Sequence, residues 1–180
     1  PVGTSPGTVN LNIRLREMVG GGGGGGCFVA GTKIMIMDGD EMLEKNIELI
    51  TTDDILIGYN EDTKQFVPVR FEEVMTPRVT DTIKIMFDDG TSLHTTADHP
   101  FLTDNGYCVV DETLYRENHA TQMELISGTL HVGDTIIGFE SNKTVTEIVE
   151  SEPELVYHLL RSDTGNFVAN GVVAHNLPVK

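Results

Sequence analysis

The chain has 180 residues, room for one domain of about 100–200 residues. Acidic side chains outnumber basic ones by 28 to 12, and a net charge of −16 argues against a nucleic-acid partner, whose phosphates it would repel. Two cysteines do not make a disulfide framework, no apolar run is long enough to span a bilayer, and no segment resembles a signal peptide.

Residues 1–8 read as a flexible leader, and a first residue of Pro1 is expected of a piece of a longer chain. Residues 9–16, VNLNIRLR, alternate apolar and polar side chains and predict a strand. Seven glycines follow, Gly20 to Gly26, a linker that holds no fold of its own. From Cys27 the composition changes to short apolar runs with turn punctuation. Strands are predicted at 32–38, 55–59, 66–75, 82–87, 91–95, 135–139, 145–150, 156–161, 167–169 and 172–174, and Cys108 falls in a further one. Asp38-Gly39, Asp89-Gly90 and Asn170-Gly171 are hairpin turn pairs. Only residues 111–126 have room for a helix or an irregular excursion. Many short strands without helical alternation predict an all-β domain. The expected organisation is a flank at 1–26, a domain of 150 residues at 27–176 that carries a charge of −18, and a flank at 177–180.

An internal echo supports two related halves. Asp54-Ile55-Leu56-Ile57-Gly58-Tyr59 returns as Asp134-Thr135-Ile136-Ile137-Gly138-Phe139, 80 residues on. Each copy leads through β-rich sequence and a turn to a histidine, His99 in one case and His175 in the other. Two copies do not make a solenoid; they predict two β subdomains that deliver one histidine each to a shared centre.

The borders of this domain carry reactive side chains. Cys27 directly follows a glycine carbonyl, and a thiolate there can attack that carbonyl and turn the Gly26–Cys27 amide into a thioester. Asn176 stands last before Leu177, and its side-chain amide can close on its own carbonyl. A nucleophile immediately behind a flexible tail meets its own chain at high effective concentration, which favours self-attack over attack on another molecule.

Three motifs together resemble the Hint superfamily of inteins, Hedgehog autoprocessing domains and bacterial intein-like domains. Cys27-Phe28-Val29-Ala30-Gly31-Thr32-Lys33-Ile34 is similar to the N-terminal splicing block. Thr96-Ala97-Asp98-His99-Pro100-Phe101 is similar to the block with the Thr-x-x-His signature, and the run from Phe167 to Asn176 to the C-terminal block that ends in His-Asn. The resemblance covers Cys27 to Asn176, without an inserted endonuclease. It implies a horseshoe-like all-β fold with pseudo-twofold symmetry in which both termini meet at one centre.

The resemblance also implies roles. Cys27 is the first nucleophile. His99 protonates the departing amide nitrogen or distorts the scissile bond, and Thr96 bonds to that bond or to the oxyanion. His175 assists Asn176 as it cyclises and releases Leu177. Asp98 either orients His99 or finishes a turn; His94, His119 and His131 have no assigned role. Cys108 reads as a packed core thiol, with a redox pairing to Cys27 as the alternative. No structural zinc spacing is present, and a set of Cys27, His158 and His175 would be an adventitious inhibitory site at most. No cofactor is expected.

The sequence departs from the family pattern at three positions. Residue 177 is leucine, where splicing inteins carry Cys, Ser or Thr, so the branched intermediate cannot form and cleavage at both borders is favoured. His158 stands where an aspartate is frequent, as a replacement proton carrier or as a pocket filler. Gly165 stands where a histidine is common, so a helper for asparagine cyclisation is absent or is supplied by His158.

Residues 9–16 and the glycines after them resemble the last strand and Gly-Gly end of ubiquitin-like proteins, which act through a C-terminal glycyl thioester; an engineered or low-complexity linker is the alternative. The expected partners are the chain's own flanks and an amine nucleophile such as a protein lysine. A monomer in a reducing, intracellular compartment is expected. Two rival readings stay open: an inactive Hint-fold spacer or binding module, and a cysteine hydrolase acting in trans.

Overall fold

A computed structural model describes residues 26–122 and 124–176. The predicted strand at 9–16, the glycine tract before Gly26 and the junction residue Leu177 lie outside the described residues.

The chain enters the domain through a two-residue strand, β1 (Phe28–Val29), and then forms a hairpin of β2 (Lys33–Asp38) and β3 (Glu41–Asn46). In β2 the alternation works as expected, with Ile34 and Ile36 turned into the core. No strand was expected at β3, because Glu41, Glu44 and Lys45 break any apolar alternation and its side chains stay largely exposed. It is held by six consecutive register pairs with β2 instead. A 3-10 turn (Ile47–Leu49) leads to β4 (Ile55–Asn60), which pairs with β5 (Gln65–Val69). The predicted strand over 66–75 is interrupted after Val69; a short β6 (Glu73–Val74) leaves the main sheet.

β7 (Arg78–Phe87) and β8 (Ser92–Thr95) form a hairpin across Asp89-Gly90, and Gly90 adopts φ +81° there. β9 (Phe101–Thr103) and β10 (Gly106–Val109) follow as a second tight hairpin. The excursion at 111–126 contains one helix, α1 (Glu112–Asn118), capped by the Asp111 carboxylate, which accepts from Leu114 N at 2.9 Å. It ends in β11 (Ile126–Thr129), parallel to β10.

The predicted strand at 135–139 is reduced to β12 (Thr135–Ile136), and the two predicted strands at 145–150 and 156–161 are reorganised. A single strand, β13 (Lys143–Tyr157), runs through Pro153. The missing N–H of Pro153 falls at a register shift between Ser151 and Glu154, where the ladder with β7 asks for no donor. β13 pairs with β12 at its start, with β7 along its length and with β1 at its end, so it ties the two halves together. His158 alone separates it from β14 (Leu159–Leu160), which pairs with β6 in a small second sheet. The chain closes with β15 (Asn166–Ala169) and β16 (Val172–His175), joined by Asn170-Gly171 with φ +45° and +80°.

The architecture is all-β, with fourteen of the described strands in one continuous, largely antiparallel network. β15 and β16 lie at its centre and every residue in them is buried, which is why their sequence reads as an unbroken apolar run. The core around Phe28, Ile85, Phe101 and Phe167 packs directly under the first residues of the domain. The internal echo is realised as one local device used twice. Asp54 accepts from Thr51 N at 2.8 Å and returns its own N–H to Thr51 O; Asp134 does the same with His131, at 2.7 Å. In each copy the aspartate closes a tight turn and launches a strand, β4 or β12.

Candidate functional site

The first residues of the domain are clamped by the end of β8. Cys27 N–H donates to Thr96 Oγ1 at 3.0 Å. Cys27 carbonyl accepts from Thr96 N at 3.0 Å and from Thr95 Oγ1 at 2.8 Å. These bonds span about seventy residues of sequence and fix both sides of the Cys27 backbone. Thr96 therefore contacts the amide nitrogen of the Gly26–Cys27 bond. The Thr96 hydroxyl in turn bonds to the buried Asp98 carboxylate, which also accepts from Asn118 Nδ2 at 2.8 Å and lies 3.2 Å from His119 Nε2. Burial pushes the Asp98 carboxyl up, but the hydrogen bonds from His119, Thr96 and Asn118 outweigh it and hold it at about 2. Asp98 thus orients Thr96, with its proton donated away from Cys27 and its lone pair toward the scissile N–H. His119, to which the sequence assigned no role, belongs to this network.

His99 lies against Gly26. A Cβ built on Gly26 would collide with the Cα, Cβ and Cγ of His99, so residue 26 has space only as glycine. The His99 ring stacks at 4.2 Å on Phe28 and lies 6.0 Å from the ring of His158. Both rings are fully buried and have no well-formed hydrogen bond to any ring nitrogen among the described residues. The Gly26 backbone nevertheless favours the protonated form of both, as only a nearby carbonyl acceptor does. The Gly26 backbone therefore lies beside both His99 and His158. His158 reaches it because it sits at the corner between β13 and β14, where Met75 N donates to its carbonyl at 3.0 Å.

Burial dominates the protonation of all three inward histidines. It drives His99 well below the ordinary 6.5, with His158 and His175 pushing the same way and Asp98 opposing. Burial brings His158 to about 4 and His175 to about 3. At neutral pH the rings are uncharged, each with one donor and one acceptor nitrogen. Burial also raises the Cys27 thiol to about 12, against a smaller lowering by Arg78.

The other border reaches the same region through β16. His175 N donates to Pro100 O at 3.0 Å, so the two motif histidines sit on adjoining segments, as the echo predicted. Tyr107 packs edge-on against the His175 ring at 5.0 Å. Asn176 is fully buried, its backbone N–H donates to Gly165 O at 2.9 Å, and its Oδ1 lies 2.7 Å from Ser162 Oγ. Its Nδ2 is buried with no hydrogen-bond partner among the described residues. A side chain at 165 would begin 3.6 Å from His175 Nε2 and 4.0 Å from Asn176 O, so the glycine at this position leaves open the space next to both.

Cys27, Thr96, His99, His158, His175 and Asn176 are thus all inside the domain, around its two borders. The sequence missed Thr95, the Asn118–His119 support of Asp98, and Ser162. Thr95 precedes the signature threonine on the same strand; Ser162 carries no motif. Cys108 packs in the main core with Phe101 and Ile136, whereas Cys27 belongs to a separate cluster with Val29 and Val156, which removes the basis for a redox pairing. Among the described residues no three His, Cys, Asp or Glu side chains converge as a metal would require, so the zinc set of Cys27, His158 and His175 is not formed.

No protein-family profile and no curated protein matches the chain. Solved structures do. A DnaB intein from Synechocystis sp. PCC 6803 is 21% identical and superposes with a TM-score of 0.68, covering 84% of this chain and 99% of its own. A bacterial intein-like domain from Clostridium thermocellum is 25% identical, with a TM-score of 0.63 over 83% of this chain and 98% of its own. The gp41-1 intein is 19% identical, with a TM-score of 0.63 over 85% of this chain and all of its own. The domain has the Hint fold of inteins and intein-like domains.

Proposed function

We propose that this domain cuts its own chain at its two borders. The observation that carries the reading is the gathering of three buried histidines at the two border residues, with His99 packed against Gly26. In the first step Cys27 Sγ bonds to the Gly26 carbonyl carbon, the C–N bond breaks, and the freed Cys27 amine takes up a proton. Thr96, held by Asp98, aligns that nitrogen, and the donor nitrogens of His99 and His158 stabilise the oxyanion. In the second step Asn176 Nδ2 bonds to its own carbonyl carbon. The bond to Leu177 breaks, Leu177 leaves as an amine, and the domain ends in a succinimide. His175 assists this proton transfer.

Leucine at 177 cannot accept the acyl group through its side chain, so separate fragments dominate. The Gly26 thioester then goes to water or to an amine, such as the Leu177 N-terminus or a protein lysine. The second fate attaches the upstream segment, with its ubiquitin-like ending, to that amine. The domain works on its own flanks, as a monomer and without a cofactor.

Intact mass of the purified chain over time, with thiol or with added amine, tests the reading. Wild type is expected to generate ends at Gly26 and Asn176. Cys27→Ala should lose the first product and keep the second, and Asn176→Ala the reverse, with thiol releasing residues 1–26 as a thioester. Leu177→Cys should raise the yield of product joined between Gly26 and residue 177. A wild-type chain that stays intact supports the inert module. Cleavage of an added peptide, with the chain itself uncut, supports a hydrolase acting in trans.

A further inference from the structure

The nucleophile at the C-terminal border is a carboxamide nitrogen, whose lone pair is delocalised into its own carbonyl. Nδ2 must lose a proton as it attacks, and the electron density it releases collects on Oδ1. A hydrogen-bond donor on Oδ1 stabilises that charge and so makes the Nδ2 proton easier to remove as the bond to the backbone carbonyl forms. Such a donor is in place. Ser162 is buried, and its Oγ lies 2.7 Å from Asn176 Oδ1. The same hydroxyl lies 2.8 Å from Asn166 O, but that carbonyl has a second donor in Thr164 Oγ1 at 3.2 Å. Of the two acceptors within reach of the single Ser162 proton, Asn176 Oδ1 is the nearer. With Oδ1 so engaged, Nδ2 is left buried and without a hydrogen-bond partner among the described residues, the state a nucleophile requires.

The loop that carries Ser162 is built to hold it there. Arg161 adopts φ +67°, a left-handed conformation that a non-glycine residue keeps only when its surroundings impose it. Its guanidinium is tied to Glu72 and to Glu73, the first residue of β6. Asp163 Oδ2 accepts from Arg70 N at 2.9 Å, and Asp163 N donates to Arg70 O at 3.1 Å. A turn from Ser162 O to Gly165 N, at 3.0 Å, then brings Gly165 O to the Asn176 N–H. Both ends of the Asn176 residue are thus gripped by one five-residue loop.

We propose that Ser162 activates Asn176 by donating its hydroxyl proton to Oδ1 while Nδ2 attacks the Asn176 carbonyl. Ser162 is a catalytic residue of the C-terminal step and has no part in the N-terminal one. The inference rests on Asn176 being the C-terminal nucleophile. In atom balance, Nδ2–C forms, C–N to Leu177 breaks, the Nδ2 proton leaves and the Leu177 nitrogen gains one; the Ser162 proton stays on Ser162.

Ser162→Thr and Ser162→Val have nearly the same shape and differ in the hydroxyl. Both are compared with wild type by the rate at which a succinimide terminus appears, and by thiol-induced release of residues 1–26 as an internal check on folding. Ser162→Thr should stay within a few-fold of wild type. Ser162→Val should slow the C-terminal step by roughly a hundredfold, the effect of removing one such donor, with the N-terminal release unchanged. Equal C-terminal rates for Thr and Val, or loss of both steps to the same extent in Val alone, overturn the role of Ser162. A wild-type chain that never yields a succinimide terminus overturns the reading of Asn176, and this inference with it.

Discussion

The two borders of the domain are held in different ways. The Gly26–Cys27 bond is gripped from a distance: Thr95 and Thr96 lie about seventy residues away in sequence, and His158 more than a hundred. Asn176 is gripped locally, by residues 162–165 on the strand connection just before it. Chemistry at the first border therefore depends on the whole network of strands being closed, with β13 and β8 both beside β1. Chemistry at the second depends mainly on the β15–β16 hairpin and its preceding loop. The borders meet where Pro100 accepts from His175, one residue beyond His99. On the proposed mechanism the two steps share a scaffold and use separate groups.

The sharpest way to test this separation is to remove one histidine from each border. His99→Ala should slow the N-terminal step by about a hundredfold to a thousandfold, the range for loss of one oxyanion donor, and leave the C-terminal step within a few-fold. His175→Ala should do the reverse. Rates of the two fragments from one time course by intact mass give both numbers at once. Small, equal effects of both substitutions on both steps would reduce the histidines to packing and erase the contrast.

A steric change comes next. Gly26→Ala introduces a methyl that meets the His99 backbone and ring. Overpacking of this kind costs about 1–3 kcal/mol, or roughly a tenfold to hundredfold loss in the N-terminal step. Asn176 is gripped elsewhere, and its cyclisation should keep its rate. Equal losses at both borders would mean that the two grips are mechanically one.

The contrast also accounts for what the sequence made legible. Thr96 and His99 of the N-terminal grip were readable because they fall in one short motif at residues 96–99 beside a cysteine after a glycine tract, whereas Thr95 lies outside it. The hairpin of β15 and β16 was readable from its continuous apolar run and its Asn170-Gly171 turn. Ser162 was not readable, because its value comes from the turn at Arg161 and the clamp of Asp163 on Arg70, both set by tertiary pairing. His119 was hidden for the same reason, since α1 brings it under Asp98 from outside any motif. The β3 strand shows where pattern reading fails in the fold: it has no apolar face, and pairing with β2 alone holds it in place. The gap predicted between 150 and 156 fails in the other direction, because the register shift in β13 absorbs Pro153.

The mildest separation of the two borders is by pH, about tenfold per unit. The N-terminal step needs the Cys27 thiolate, and burial raises that thiol from 9.0 to about 12. Burial holds His158 at about 4 and His99 well below its ordinary 6.5, so moving the proton to one of them is far harder at neutral pH than losing it to water. The N-terminal rate should therefore climb about tenfold per pH unit through neutrality. Asn176 has no titrating group in that range, and His175, at about 3, is already neutral, so the C-terminal rate should stay flat. Folding sets the limits of the window. The depressed histidines stabilise the fold fully above their unfolded value of 6.5, and that stability is lost as pH falls toward 4 and 3, by about 1.4 kcal/mol per unit for each ring. The raised thiol acts with the opposite sign: its contribution is complete below 9.0 and is lost as pH rises toward 12. Thermal midpoints of a Cys27→Ala Asn176→Ala chain should drop on the acid side and no longer between pH 9 and 10, below the range in which the buried Tyr107 and Tyr115, both raised by burial, take over the alkaline loss. Parallel pH profiles for the two fragments between roughly 6.5 and 9 would show that a common event, and not the thiol, limits both borders.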